Sequence, residues 1–304
     1  MAFRLAKGDI LCNLDADNYA GEEFGKYVID LFRDKGNICL TGLNNRSGVG
    51  DAMGKVCVWK QDFEDVTGYD ESFVGYGYED FDLVNRLALH GVQPFVINQP
   101  RFLKAITHTN SERLVNQDFY IRLHSVYIRY INAATSTILF LFKNGLYQRT
   151  TIIHNFQKYD SIDFAFQRPG RDDDKFDIDT DDSEIGEWHC GSHGTLQLTA
   201  NGISKVVQLS KFDQLCKGLQ TAALPGSAPY SKGKQAYHPI SEETLINDAA
   251  YFVAQISNRT RMAQNLANAN IRPNAVFGKG RVTRNFDERN IIEVSERSLE
   301  PLVL

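Results

Sequence analysis

The chain has 304 residues, 42% of them apolar and 23% charged, with a formal net charge of −5. That length allows two domains, and the apolar share is ample for packed cores. The acidic balance argues against a nucleic-acid binder, which needs a basic surface to neutralise phosphates, and five scattered cysteines read as reduced thiols rather than a disulfide framework.

In chain order, Met1 to Gly8 carries Arg4 and Lys7 and lacks the apolar stretch of a secretory signal. Asp9 to Leu14 reads as a buried strand, so Asp15 and Asp17 emerge at its end. Tyr19 to Lys35 has Phe24, Val28, Leu31 and Phe32 at helical spacing, with Gly36 as the stop. Strands follow over Ile38 to Leu43 and Val56 to Trp59, separated by the polar loop Asn44 to Asp51, which is expected to pass over a site. The block Gly68 to Asp82 then packs five carboxylates among glycines and aromatics just before an amphipathic helix, Glu79 to Leu89, ended by Gly91. A strand over Phe95 to Ile97 leads to His108. From Asn110 or Ser111 to about Ala134 the spacing predicts a helix, with Leu114, Phe119, Leu123, Val126, Tyr127 and Tyr130 on its apolar face.

These acids and the imidazole stand at strand ends and helix starts, where they could converge on one divalent cation and one reacting hydroxyl. Asp15 and Asp17 offer oxygen ligands of the kind Mg²⁺ or Mn²⁺ takes, and a His nitrogen tips the preference toward Mn²⁺. Each residue also has a plainer reading. Asp15 and Asp17 could form a polar turn, Glu79 and Asp80 could be first-turn acids favoured by the helix dipole, and Gly75 and Gly77 could serve only as turn residues.

Asp15-x-Asp17, the segment Gly54 to Phe63 leading into Gly68-Tyr69-Asp70-Glu71, the block Gly75-Tyr76-Gly77-Tyr78-Glu79-Asp80-Phe81-Asp82 and His108 together resemble nucleotide-sugar glycosyltransferases of the GT-A fold. The nearest likeness is to the galactosyltransferase and N-acetylgalactosaminyltransferase type, and it covers roughly the first 115 residues by motif reading. The resemblance implies that Asp17 and His108 hold the metal that bridges the donor diphosphate, with Asp15 beside the ribose or the metal. It makes Asp80 the catalytic base, with Glu79 its neighbour, and assigns substrate binding to Tyr76, Gly77 and Tyr78. Tyr76 stands where the family has Trp, and Ala105 where some members have a thioether ligand. The implied cofactors are Mn²⁺ (or Mg²⁺) and a nucleotide-diphosphate sugar, a UDP-sugar by type. The implied reaction moves a hexose or N-acetylhexosamine to a glycan or lipid-linked acceptor with inversion.

In that family the D-x-D motif follows several strand-helix units, whereas Asp15 lies almost at the start of this sequence. The resemblance therefore implies the C-terminal half of a GT-A (Rossmann-like) mixed sheet, with a partner subunit or an upstream segment supplying the nucleotide-binding half. A non-catalytic carbohydrate-binding or assembly subunit is the alternative. A haloacid-dehalogenase-type phosphatase also places D-x-D after a first strand. Asn18 is wrong for that family, however, and it leaves Gly68 to Asp82 unexplained.

Beyond residue 134 the pattern turns to alternation over Ile138 to Phe142, Leu146 to Phe156, Ile162 to Gln167, Gly186 to His189, Thr195 to Thr199 and Ser204 to Leu209, with Asn201-Gly202 as a hairpin turn. A small antiparallel β module is expected there, with Asp172 to Glu184 as a solvated loop. A short helix over Lys211 to Ala223 follows, then a loop, a helix capped by Ser241 and running to about Ala269, and a loosely ordered tail from Asn270. The fold class is α/β, divided into a transferase-like half (1–134), a β-rich module (135–224) and a helical C-terminal segment (225–304). The best apolar run, Thr137 to Phe142, is far short of the about 20 residues that a bilayer demands. The expected location is the bacterial cytoplasm, with peripheral contact at the inner face of the plasma membrane.

Overall fold

A computed structural model describes residues 2–43, 52, 54–109, 112–113, 118–132, 135–154, 176–191, 194–210, 236–284 and 287–294. The first layer is a mixed four-stranded sheet built from β1 (Ile10–Asn13), β2 (Ile38–Thr41), β3 (Val56–Trp59) and β4 (Gln93–Val96) in the order β1-β3-β2-β4. Strand β3 runs antiparallel to both its neighbours, and β2 is parallel to β4. All four residues of β2 are buried, as a central strand covered on both faces requires. Helix α1 (Ala2–Leu5), α2 (Phe24–Lys35), α3 (Lys60–Asp65) and α4 (Glu79–Leu89) flank this sheet. Phe24, Val28 and Phe32 bury one stripe of α2 against Ile38, Leu40 and Cys57. On another face, Phe81, Val84 and Leu87 of α4 pack with Val56, Val58 and Phe63.

The second layer is a seven-stranded antiparallel sheet, ordered β10-β9-β8-β7-β6-β5-β11. Its strands are β5 (Leu123–Asn132), β6 (Thr135–Phe142), β7 (Leu146–His154), β8 (Phe176–Cys190), β9 (Thr195–Ala200), β10 (Ile203–Gln208) and β11 (His238–Ile240). It is larger than the four-stranded sheet, not the small module that alternation suggests. Of the helix expected up to Ala134, residues 112–113 and α5 (Asp118–Arg122) are helical among the described residues, and β5 follows at once. Val126, Tyr127 and Tyr130 satisfy helical spacing, but Val126, Ile128 and Tyr130 alternate equally well. The β-branched and aromatic content of the segment favours the strand, and Val126 and Ile128 are fully buried. Strands β5 and β6, on either side of residues 133–134, pair antiparallel.

The acidic stretch expected to be a solvated loop is also strand from Phe176 onward. Two of its carboxylates are paired across the sheet: Asp182 takes a two-pronged contact from Arg149 at 2.7 and 3.1 Å, and Glu184 accepts from Lys205 at 3.0 Å. The loop Asn44 to Asp51, the strand Ile162 to Gln167, the helix Lys211 to Ala223 and the cap at Asn110 or Ser111 lie outside the described residues.

Helix α6 (Glu243–Ala267) joins the two layers. Leu245, Ala249, Ala250 and Val253 pack on Val126, Ile128, Ile138 and Phe140 of the large sheet. Met262 and Leu266, further along, join the core around α4. Its N-cap is Glu242, one residue beyond the expected Ser241, and makes no side-chain cap bond. The tail expected to be loose is ordered over 270–284 and 287–294. Residues 271–278 lie against the first layer through Ile271 and Phe277, and β12 (Gly280–Arg284) pairs with β13 (Asp287–Val294). Among the described residues, no helix is long and apolar enough to cross a membrane.

Candidate active site

Strand β1 delivers Asp15 and Asp17 at its C-terminal end, where the chain turns and runs beside residues 104–106. The backbone N–H of Tyr19 donates to Lys104 O (3.0 Å) and that of Ile106 to Asp17 O (2.9 Å). This pairing carries His108 to Asp17, with Nε2 and Oδ2 3.1 Å apart. The other oxygen of Asp17 accepts from Asn18 Nδ2 at 2.8 Å. Lys55 staples the two segments: its fully buried ammonium donates to Tyr19 O at 2.8 Å and to Phe102 O. Burial pulls the Lys55 pKa down, against the opposing charge of Asp15.

Gly54 makes room for Asp15. A Cβ at residue 54 would lie 2.0 Å from Asp15 Oδ2, so any side chain there would displace the carboxylate. Asn13 Nδ2 donates to Gly54 O at 3.0 Å and fixes the approach. Partial burial raises the Asp15 pKa, Asp17 adds to the rise, and Lys55 and Arg113 oppose it.

The Gly68–Asp82 block divides in two. Asp70 and Asp82 turn inward to a polar network. Arg86 Nε lies 2.6 Å from Asp82 Oδ2, with both side chains buried, and Asn265 of α6 donates to Asp70 Oδ2 and Asp82 Oδ1 at 2.9 Å each. Arg86 also donates to Val66 O (2.9 Å) and Gly68 O (2.8 Å). Burial opposes the charge on Asp70, but bonds from Ser72 and Asn265 and the charge of Arg261 outweigh it and lower its pKa.

Glu79 and Asp80 open α4 and face the other way. Asp80 is partly buried, and burial, then the charges of Glu79 and Asp15, push its pKa up to about 8. Tyr69 Oη donates to its Oδ1 at 2.8 Å. Burial also raises Glu79, whose carboxylate is supported by the backbone N–H groups of Glu79 and Gly77. Asp15 contributes to the rise of both acids, so the end of β1 and the start of α4 share one electrostatic field.

The loop before α4 is tightly held. Gly75 and Gly77 have φ of 77° and 104°, and Tyr78 caps the helix in the left-handed region at φ 71°, a strained conformation for a residue with a side chain. Gln255 and Asn258 of α6 donate to Tyr76 O (3.0 Å) and Gly77 O (2.9 Å). A Cβ on Gly77 would lie 2.0 Å from Gln255 Nε2. The Tyr76 ring stacks on Tyr251 at 5.8 Å, Arg113 lies over it at 5.1 Å, and Arg113 also donates to its hydroxyl.

The structure thus brings Asp17 to His108, and it sets Asp15, Glu79 and Asp80 within each other's fields. The sequence did not mark Lys55, Tyr69, Arg113 or the α6 side chains as parts of this arrangement. A lone lysine before the apolar run Val56 to Trp59 was the available signal for Lys55. The α6 contacts join residues about 180 positions apart, and no local pattern encodes them. A separate group, Asp62, Asp65 and His90, lies by α3 and the far end of α4, with ligand atoms within 4.8 Å of one another.

A family described as the N-terminal domain of galactosyltransferase matches residues 48–111. The matched span takes in Gly54, Lys55, the Gly68–Asp82 block and His108, and it stops short of Asp15 and Asp17 on the N-terminal side. This match supports a glycosyltransferase. No curated protein and no solved structure matches the chain.

Proposed function

We propose that this chain is a metal-dependent glycosyltransferase of the GT-A type. It moves a hexose or N-acetylhexosamine from a nucleotide-diphosphate sugar, a UDP-sugar, to a glycan or lipid-linked acceptor. The carrying observation is the partly buried Asp80 at the start of α4, held by Tyr69 Oη at 2.8 Å, its pKa raised to about 8, within the field of Asp15 at the end of β1. A sugar hydroxyl is a weak nucleophile, and a base whose pKa lies near the working pH is best placed to take its proton. In this reading the acceptor oxygen bonds to the anomeric carbon, the bond to the diphosphate breaks on the opposite face, and the proton passes to Asp80. The anomeric centre inverts.

Asp17 and His108 suit Mn²⁺. Their facing O and N atoms, 3.1 Å apart, match neighbouring positions in a coordination shell with bonds of about 2.1 Å. When bound, the metal supplies Lewis-acid neutralisation of the leaving diphosphate. Asn18 orients Asp17 by occupying its other oxygen, and Lys55 keeps the two metal-binding segments together. Asp15 lies beside the ribose or the metal. Tyr76, Gly77 and Tyr78 form the acceptor side, on a loop that α6 holds rigid. Peripheral work at the inner face of a bacterial plasma membrane fits a lipid-linked acceptor.

The test is thermal stabilisation by UDP with and without Mn²⁺, together with transfer from UDP-galactose and UDP-N-acetylgalactosamine. Stabilisation is expected only with the metal present, and it is lost in the double variant Asp17→Ala, His108→Ala. Asp80→Asn is expected to keep that stabilisation while transfer falls about 10²–10⁴-fold. An Asp80→Asn enzyme as fast as wild type would overturn the base assignment.

A further inference from the structure

We propose that Tyr69 is a positioning residue for Asp80: its hydroxyl holds Oδ1 and so commits Oδ2 to the acceptor. The inference rests on the reading of Asp80 as the base. A carboxylate turns easily about its terminal torsion, and a base must present one oxygen at hydrogen-bond distance from the proton it takes. Tyr69 Oη donates to Asp80 Oδ1 at 2.8 Å. The neighbouring charges are Glu79 beside it on α4 and Asp15 at the end of β1, both acidic, and the Tyr76 phenol lies within the same field. These acids supply no positive charge to anchor the carboxylate.

Tyr69 is itself fixed on several sides. Its ring stands 6.1 Å from Phe63, edge to face, and 6.1 Å from Phe3 of α1. Its carbonyl accepts from Asn274 Nδ2 at 2.6 Å, and Phe277 packs on Phe63. The C-terminal segment thus helps to place a hydroxyl at the start of α4. Burial and the nearby carboxylates raise the phenol's pKa well above its ordinary value, so it remains a donor wherever Asp80 titrates.

The experiment compares wild type with Tyr69→Phe, which keeps the ring and removes one oxygen. In protein labelled with ¹³C at the Asp carboxyl carbon, the Asp80 signal is the one missing from Asp80→Asn. Its titration midpoint is expected to rise by about one unit in Tyr69→Phe, because the lost bond favoured the charged form. Transfer from UDP-galactose or UDP-N-acetylgalactosamine at pH 7 is expected to fall about 10-fold or more with donor KM unchanged. Phe3→Leu, which loosens the same aromatic cluster but keeps the hydroxyl, is expected to leave the midpoint in place. A midpoint unmoved in Tyr69→Phe overturns the proposal, and so does a moved midpoint with an unchanged rate. Full activity in Asp80→Asn overturns the base reading instead, so the two failures are distinguishable.

Discussion

Asp80 and Asp82 stand two residues apart on one helix, and their environments are opposite. Asp82 is met by a buried guanidinium at 2.6 Å and by the Asn265 amide at 2.9 Å. Asp80 is only partly buried, and it has a neutral hydroxyl for a partner and two acids for neighbours. The first arrangement fixes structure: Arg86 ties α4 to the carbonyls of Val66 and Gly68, and Asn265 ties both to α6. The second leaves a proton-binding group poised near neutrality, which is what a general base requires. Two positions are enough to separate the roles, because residues two apart on a helix are rotated by about 200° and project to opposite sides.

The comparison breaks most severely at Arg86. Arg86→Met leaves Asp82 buried without its counter-charge, and stability should fall by about 3–5 kcal/mol in urea denaturation. Pairing it with Asp82→Leu should recover much of the loss. Asn265→Ala removes one amide from two carboxylates at once and should cost about 1–3 kcal/mol by the same measurement.

Asp80 should respond in the opposite sense. Its folded-state pKa, about 8, lies above its unfolded value, so ionisation opposes folding. The wild type should lose stability as pH rises from about 4 to about 8. Asp80→Asn should flatten that slope and be the more stable protein above pH 8, by at least the about 1.4 kcal/mol that one pKa unit represents. Melting curves across pH check this, and a variant with the wild-type slope would refute the raised pKa. The smallest effect belongs to Ala269, left-handed at φ 48° just past the end of α6. Ala269→Gly should stabilise by up to about 1 kcal/mol and leave both carboxylates undisturbed.

The helix bearing both acids was legible in the sequence, since its apolar spacing and Gly91 bound it. So were the strand ending at Asp15 and the turn at Asn201-Gly202. The segment 123–132 was not, because its apolar residues satisfy two periods at once and only burial against β6 and α6 selects the strand. The division of the Gly68–Asp82 acids was also invisible. Which carboxylate meets Arg86 depends on helix phase, and which meets Asn265 depends on a chain segment more than 180 residues downstream. Ordering of residues 271–278 has the same origin. Asn274 is one polar residue in a polar stretch until Thr67 and Tyr69 present their carbonyls to it at 2.8 and 2.6 Å.

Helix α6 carries a practical lesson for dissecting this protein. Its first half is bolted to the seven-stranded sheet and its second half to α4. A fragment ending near residue 134, chosen to isolate the motif-bearing half, would lose Gln255, Asn258 and Asn265 together. It would also bare the apolar flank of α4. The motifs would all be present in such a piece, yet the loop from Gly75 to Tyr78 would have no brace, so a silent fragment would say nothing about the chemistry of the intact chain.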